Sequence, residues 1–268
     1  MNNTITTITI SRFLAIYILL LIILLIMKKN DVNESKYLFI SSARMTFQLI
    51  LSGLILTFIF KNPKPIFTIF YIGIMISYSI FRVYNKNPNL NKTFKKSIAL
   101  GLIVSILGII IYFVAVVVNE DLFNPQYVIP IGGMLAGNAM TGVNLGIKAF
   151  NDRLSDQRDK MESLLNFGAH PKDILRPLLN TSLETALIPT LNKMAGMGIV
   201  SLPGMMTGQI LSGTLPMTAI LYQIAIMIAI ATVDSLSVFI ALYLGYKSLY
   251  NENLQWVLND WYNNVIIK

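Results

Sequence analysis

The chain has 268 residues, of which 54% are hydrophobic and 13% charged, with a mean hydropathy of +0.63. These values exclude an ordinary soluble domain and point to an all-α, polytopic protein of the lipid bilayer, with one membrane domain over residues 1–268. The net charge of +8 does not mark a nucleic-acid binder, because the basic residues fall in short segments between long apolar runs. With no cysteine, disulfides, thiolate metal sites and cysteine nucleophiles are all excluded.

Apolar windows predict seven spans, at about 10–27, 37–60, 65–81, 97–118, 127–147, 189–211 and 219–246. The first has only Arg12 before it and no small-residue cleavage pattern after it, which favours a retained helix over a signal peptide. Connections alternate in charge. Lys28, Lys29 and Lys36 follow the first span, Arg82 to Lys96 the third, and Lys148 to Arg176 the fifth, while NEDLFNPQ and SGTLPMT carry no basic residue. The positive-inside rule then places the N-terminus outside and the C-terminus in the cytoplasm.

The cytoplasmic stretch 148–187 is far longer than the other connections. Ile147, Phe150, Leu154, Met161, Leu164 and Leu165 share one helical face, Gly168 suits a helix end, and Pro171 suits the first turn of the next helix. The C-terminal segment 247–268 interleaves Leu254, Trp256, Val257, Leu258 and Trp261 with polar residues. It fits either an interfacial helix or a frayed tail. There is no G-x-x-x-x-G-K-[ST] loop, no His-Glu-x-x-His and a single histidine, so self-contained nucleotide hydrolysis and a histidine metal site are not expected.

The segment ESLLNFGAHPKDILRPLL resembles the coupling loops of ABC importer permeases, where a glutamate precedes a glycine by six positions, as Glu162 precedes Gly168. The downstream isoleucine and proline of that pattern are absent. Together with IPIGGMLAGNAMTGVNLGIKAF, LIPTLNKMAGMGIVSLPGMMTGQILSG and ARMTFQLILSG, the loop resembles the FetB-type permeases, membrane subunits of an ABC-type iron exporter whose plant relatives are linked to aluminium tolerance and UDP-glucose transport. The resemblance implies a separate ATPase subunit that uses ATP and Mg, a second copy of the chain, and no cofactor bound here. It also implies a helix-turn-helix between the fifth and sixth spans through which Arg158, Glu162, Gly168, Ala169, His170 and Pro171 meet the ATPase.

Arg44, Lys193 and Asp234 lie within predicted spans, where a charge costs about 2.5–3.5 kcal/mol on insertion scales and seeks a partner or the bundle interior. One expectation is that Asp234 neutralises Lys193 or Arg44; the alternative is that Lys193 snorkels to the interface. Gln48, Asn138, Asn144, Asn192 and Gln209 are candidates for a polar path or for joining helices. Methionines cluster near the Gly-rich spans at Met134, Met140, Met194, Met197, Met205, Met206 and Met217, more in keeping with packing than with a soft-metal site, and no metal ligand set is identifiable. Glycines four apart, at Gly133 and Gly137, Gly142 and Gly146, and Gly204 and Gly208, predict close helix contacts, and Pro203 predicts a kink near Ile199. An ABC export subunit is the leading reading. A secondary transporter using Asp234 as its ion site is the other, and cargo is open between a metal ion and a compound such as a nucleotide sugar.

Overall fold

The computed structural model describes residues 9–32 and 34–250. It is helical: α1 (Ile10–Ala15), α2 (Ile18–Lys29), α3 (Ser35–Lys61), α4 (Pro65–Lys86), α5 (Lys92–Tyr112) running on as a π-turn over Phe113–Val118, α6 (Pro125–Asp156), α7 (Arg158–Asn166), α8 (Pro171–Gly196), α9 (Gly204–Leu211) and α10 (Pro216–Gly245) with a final 3-10 turn. The starts follow local chemistry. Four helices, α4, α6, α8 and α10, open on a proline, whose missing N–H costs nothing in the first turn. Asn91 accepts from the Phe94 N–H at 2.7 Å to cap α5, and Asn124 accepts from the Gln126 N–H at 3.1 Å to cap α6.

Among the described residues, five helical stretches are long and apolar enough to cross a membrane: Ser11–Lys29, Ser35–Lys61, Pro65–Lys86, Lys92–Val118 and Pro216–Leu249. The packed core lies where α10 meets α5, α6 and α8, with α4 laid against α6. Phe94, Ile98, Leu102, Ile106 and Ile110 bury one edge of α5 at four-residue spacing, in one core with Val233, Val238 and Leu242 of α10.

Lipid tails are as apolar as leucine, so such helices are held by close fit and internal hydrogen bonds rather than by escape from water. Small residues supply the fit. A Cβ placed on Gly101 would come 2.9 Å from the Ser237 carbonyl of α10, and one on Gly245 would meet the Phe94 ring at 2.6 Å. By contrast α3 buries only Ile59 over its whole length and leaves Phe39, Phe47 and Phe58 exposed. A hydrogen bond between the Tyr17 and Thr46 hydroxyls joins α2 to α3.

One end of the bundle gathers many of the basic residues. Hydrogen bonds from Asn87 to Asn144, from Tyr84 to the Lys95 carbonyl and between Asn91 and Ser248 gather the C-terminal ends of α4 and α10, the start of α5 and the later part of α6. Arg82, Lys86, Lys92, Lys95, Lys96 and Lys148 all belong to that end. At the opposite end Thr68 donates to the Phe123 carbonyl at 2.9 Å, next to Glu120 and Asp121.

The sixth expected span, 189–211, is not one kinked helix. Its first part is the end of α8, which stops at Gly196; a turn follows, with a bridge between Met197 and Ser201, and α9 starts afresh at Gly204. Two local features make this a turn rather than a bend near Ile199. Gly198 takes φ of +84°, open to glycine at little cost, and Pro203 stands in extended backbone as the cap of α9. The fifth expected span and the start of the stretch 148–187 are one continuous helix, α6, reaching Asp156. The interfacial helix or tail beyond Tyr250 lies outside the described residues.

Candidate coupling hairpin and buried acidic site

The stretch 148–187 folds into a hairpin of the end of α6, the short α7 and the start of α8. Its apolar face is Ile147, Phe150, Leu154 and Met161, all buried, with Leu165 half-buried and Leu164 partly exposed. Gly168 ends α7 with φ of +85°, its N–H reaching the Leu165 carbonyl at 2.9 Å, while the Ala169 N–H reaches the Leu164 carbonyl at 3.0 Å. This pair of bonds is a Schellman motif, which satisfies carbonyls that a helix end would leave free. His170 Nδ1 accepts from the Lys172 N–H at 3.1 Å to cap α8, and Pro171 is buried in its first turn. One helix stop and one helix start within five residues make a rigid tip. Arg158 and Glu162 form an exposed i,i+4 ion pair at 2.8 Å on α7, worth about 0.3–0.5 kcal/mol.

The residue that sequence reasoning missed at this tip is Phe167, which is 89% exposed. A large aromatic this open on a polar segment is a feature of contact surfaces. The available signal was its place beside the helix-ending Gly168. A second missed contact ties the hairpin to the bundle: Arg153 of α6 donates to the Ala149 carbonyl at 3.1 Å and to Thr185 Oγ1 of α8 at 3.2 Å.

Deep in the bundle Asp234 of α10 is 2% exposed. Thr190 of α8 donates to its Oδ2 at 2.5 Å, while its Oδ1 is buried without a partner. Gly142 of α6 makes room for the carboxyl: a Cβ there would lie 3.5 Å from Asp234 Oδ1. Among the described residues no ion pair joins Asp234 to Lys193 or Arg44. Lys193, exposed near the end of α8, is near enough for its charge to act on Asp234 without touching it, and Arg44 is exposed on the outlying α3. Thr190, which the sequence reading did not single out, occupies the partner's place.

The remaining expected positions scatter. Asn138 donates to the Met134 carbonyl of its own helix at 2.8 Å. Asn144 donates to the Met140 carbonyl and accepts from Asn87 Nδ2, both at 2.9 Å, joining α6 to α4. Gln48 and Asn192 are exposed, Pro203 is half-buried, and Gln209 buries an unpartnered Oε1. Of the glycine pairs, Gly142 and Gly146 meet α10, and Gly133 lies 3.3 Å by its virtual Cβ from Met75, but Gly137, Gly204 and Gly208 have nothing within 4 Å. Met194, Met197 and Met206 line an apolar cavity of about 460 Å³ against α10, where Gln223 Nε2 approaches Met197 Sδ at 3.9 Å. Among the described residues there is no cluster of three His, Cys, Asp or Glu.

The model of the "Uncharacterised protein family (UPF0014)" matches residues 10–250. The Escherichia coli (strain K12) "Probable iron export permease protein FetB" is 33% identical over 249 residues, which cover 92% of this chain and 95% of that protein. The Arabidopsis thaliana "Protein ALUMINUM SENSITIVE 3" is 31% identical over 244 residues, 90% of this chain and 87% of that protein. The Bacillus subtilis (strain 168) "UPF0014 membrane protein YjkA" is 29% identical over 245 residues, 91% and 96% respectively. No solved structure matches. With its apolar helices and a family match across nearly its whole length, the chain belongs to the UPF0014 family and is a multi-pass membrane protein.

Proposed function

We propose that the chain is the transmembrane subunit of an ABC-type transporter, driven by a separate ATPase subunit and exporting iron or a related metal ion. The observation that carries this reading is the α6–α7–α8 hairpin, a stiff knob with an exposed Phe167 at its tip, standing at the basic end of the bundle. The positive-inside rule makes that end cytoplasmic, with the N-terminus outside, and a count of seven spans follows if α6 and α8–α9 also cross. The printed name of the Escherichia coli relative supports iron as cargo. ATP and Mg are used by the ATPase, so this chain itself hydrolyses nothing. Two copies enclose the path, and closure of the ATPases moves the two knobs and rocks the spans between inward and outward openings.

Inside-out vesicles holding the permease with its ATPase test the reading directly. ATP should drive ferrous ion into the lumen, and vesicles lacking the ATPase should accumulate none. Accumulation of a nucleotide sugar in place of metal would keep the ABC machinery and change the cargo. A second reading, an ion-driven secondary transporter, draws on the unpartnered Oδ1 of Asp234. It requires gradient-driven uptake without any ATPase, abolished by Asp234→Asn.

A further inference from the structure

At the basic end, a cavity of about 380 Å³ opens between α3, α4 and α6, bounded by Tyr37, Arg82, Asn85, Lys86, Asn144 and Lys148 among its lining residues. Its charge is one-sided. Three cationic side chains reach it from two helices, no carboxylate lines it, and among the described residues none of the three is in an ion pair. Asp152, four residues beyond Lys148 on α6, does not pair with it. Like charges brought together without counter-ions raise the energy of the folded protein, so a site of this kind gains from an anion.

The polar groups around it are fixed. Asn144 has its oxygen occupied by Asn87 Nδ2 and one N–H by the Met140 carbonyl, which leaves its second N–H as a donor. Arg82 is half-buried and carries a planar fork suited to two oxygens of one phosphate. The same charges repel a divalent cation. The cavity is therefore not a station for a metal cargo.

We propose that this cavity binds a phosphate-bearing anion, and that the bound phosphate fastens α3 to the rest of the bundle. Helix α3 buries only Ile59, yet it contributes Tyr37 to the cavity wall. Arg82 already interacts with the Tyr37 hydroxyl, and an anion that joins Lys86 and Lys148 to that contact adds cohesion that side-chain packing does not supply. Two sources offer this chemistry: the headgroup of an anionic phospholipid, whose acyl chains would lie along exposed Phe39 and Phe47, and phosphate free in solution.

Native mass spectrometry and thermal unfolding of the purified permease separate them. Three conditions are compared: nanodiscs of phosphatidylglycerol, nanodiscs of phosphatidylcholine, and detergent with inorganic phosphate or pyrophosphate. We expect retained phosphatidylglycerol and a higher Tm than in phosphatidylcholine, weakened at high salt. Arg82→Gln with Lys148→Gln should lower the retention about tenfold, as loss of charge-assisted hydrogen bonds does. Lys64→Gln, at the opposite end, should leave it unchanged. Stabilisation by inorganic phosphate that the double variant lacks would support the site with a soluble source. Equal behaviour of the two lipids together with no response to phosphate overturns the proposal, as does an undiminished anion preference in the double variant. If the double variant does not fold, the salt dependence of the wild-type lipid preference decides, and a preference independent of salt overturns it.

Discussion

Replacing Gly146 by alanine adds one methyl where three helices meet. The new Cβ would lie 2.8 Å from Val238 Cγ1 of α10, 3.5 Å from Ala186 Cβ of α8 and 3.6 Å from Leu242 Cδ1. The first of these is about 0.7 Å inside the optimum for two carbons. Val238 cannot yield easily, since a β-branched side chain in a helix has one strongly favoured rotamer. Overpacking of this kind costs about 1–3 kcal/mol. Removing a helical glycine returns about 0.5–1 kcal/mol, so the net loss lies between about 0 and 2.5 kcal/mol. Gly137 is the internal control, because a Cβ there meets nothing within 4 Å, and Gly137→Ala should be neutral or slightly stabilising. Unfolding both variants by dodecyl sulfate titration from mixed micelles gives the two signs directly. Val238→Ala in the Gly146→Ala background should recover part of the loss, by opening the space the methyl needs. If Gly146→Ala is as benign as Gly137→Ala, the α6–α8–α10 junction is not as tight as described.

Thr190→Val keeps the shape of the side chain and strips Asp234 of its one hydrogen bond, which should cost about 1–3 kcal/mol in the same titration. Adding Asp234→Leu should restore stability toward wild type, whereas simple additivity of the two changes would refute the pairing. Phe167→Ala removes an exposed ring and should change stability by less than about 0.5 kcal/mol. In pull-down and ATPase-stimulation assays with the cognate ATPase it should nonetheless weaken association severalfold; full stimulation would remove Phe167 from the docking surface. A Cβ at Gly204 meets nothing within 4 Å, so if the proposed second copy packs on α9, Gly204→Leu should hold monomer stability while cross-linked dimer is lost. Intact dimer and intact transport would show that α9 faces only lipid.

The parts of the fold legible in the sequence are those set by local chemistry. Pro65, Pro125, Pro171 and Pro216 open helices as any N1 proline can, and Gly168 ends α7 because few other residues accept positive φ. What was not legible depends on partners distant in sequence. Asp234 reads as a charge in need of a countercharge, but a hydroxyl one turn before Lys193 reaches it first, because Thr190 lies on the buried side of α8. The breakers between Gly196 and Gly204 were visible; whether they bend a helix or end one depends on Gly198 turning left-handed and on the Met197–Ser201 bridge. The basic residues near Arg82 and Lys148 carried a topological meaning along the chain and a second one only when α4 and α6 brought them to one cavity.

The hairpin and the buried acid share a helix, and the course of α8 indicates how force would pass between them. From Pro171 to Thr190 the helix rises about 28 Å at 1.5 Å per residue. Its first two-thirds are clamped: Leu175, Leu178, Leu179 and Ser182 are buried, Tyr243 of α10 hydrogen-bonds Asn180, and Arg153 of α6 holds Thr185. Displacement of the tip at Phe167 therefore reaches Thr185 with little loss. Pro177 also removes a ladder bond, but within the part held by buried contacts; beyond Thr185 stands Pro189, which cannot donate to the Thr185 carbonyl and leaves a second gap in the ladder. The clamp and this second gap meet at the same residue, so bending is cheapest immediately past the clamp. Thr190 follows that joint, and its bond to Asp234 is what a bend there would stretch. A carboxylate already short of one partner loses its other when α8 pivots, which makes the pivoted state costly unless water or a cation reaches Asp234 at the same moment. On the proposed ABC reading, tip movement and access of a polar species to the bundle centre would be coupled through the Thr190–Asp234 hydrogen bond.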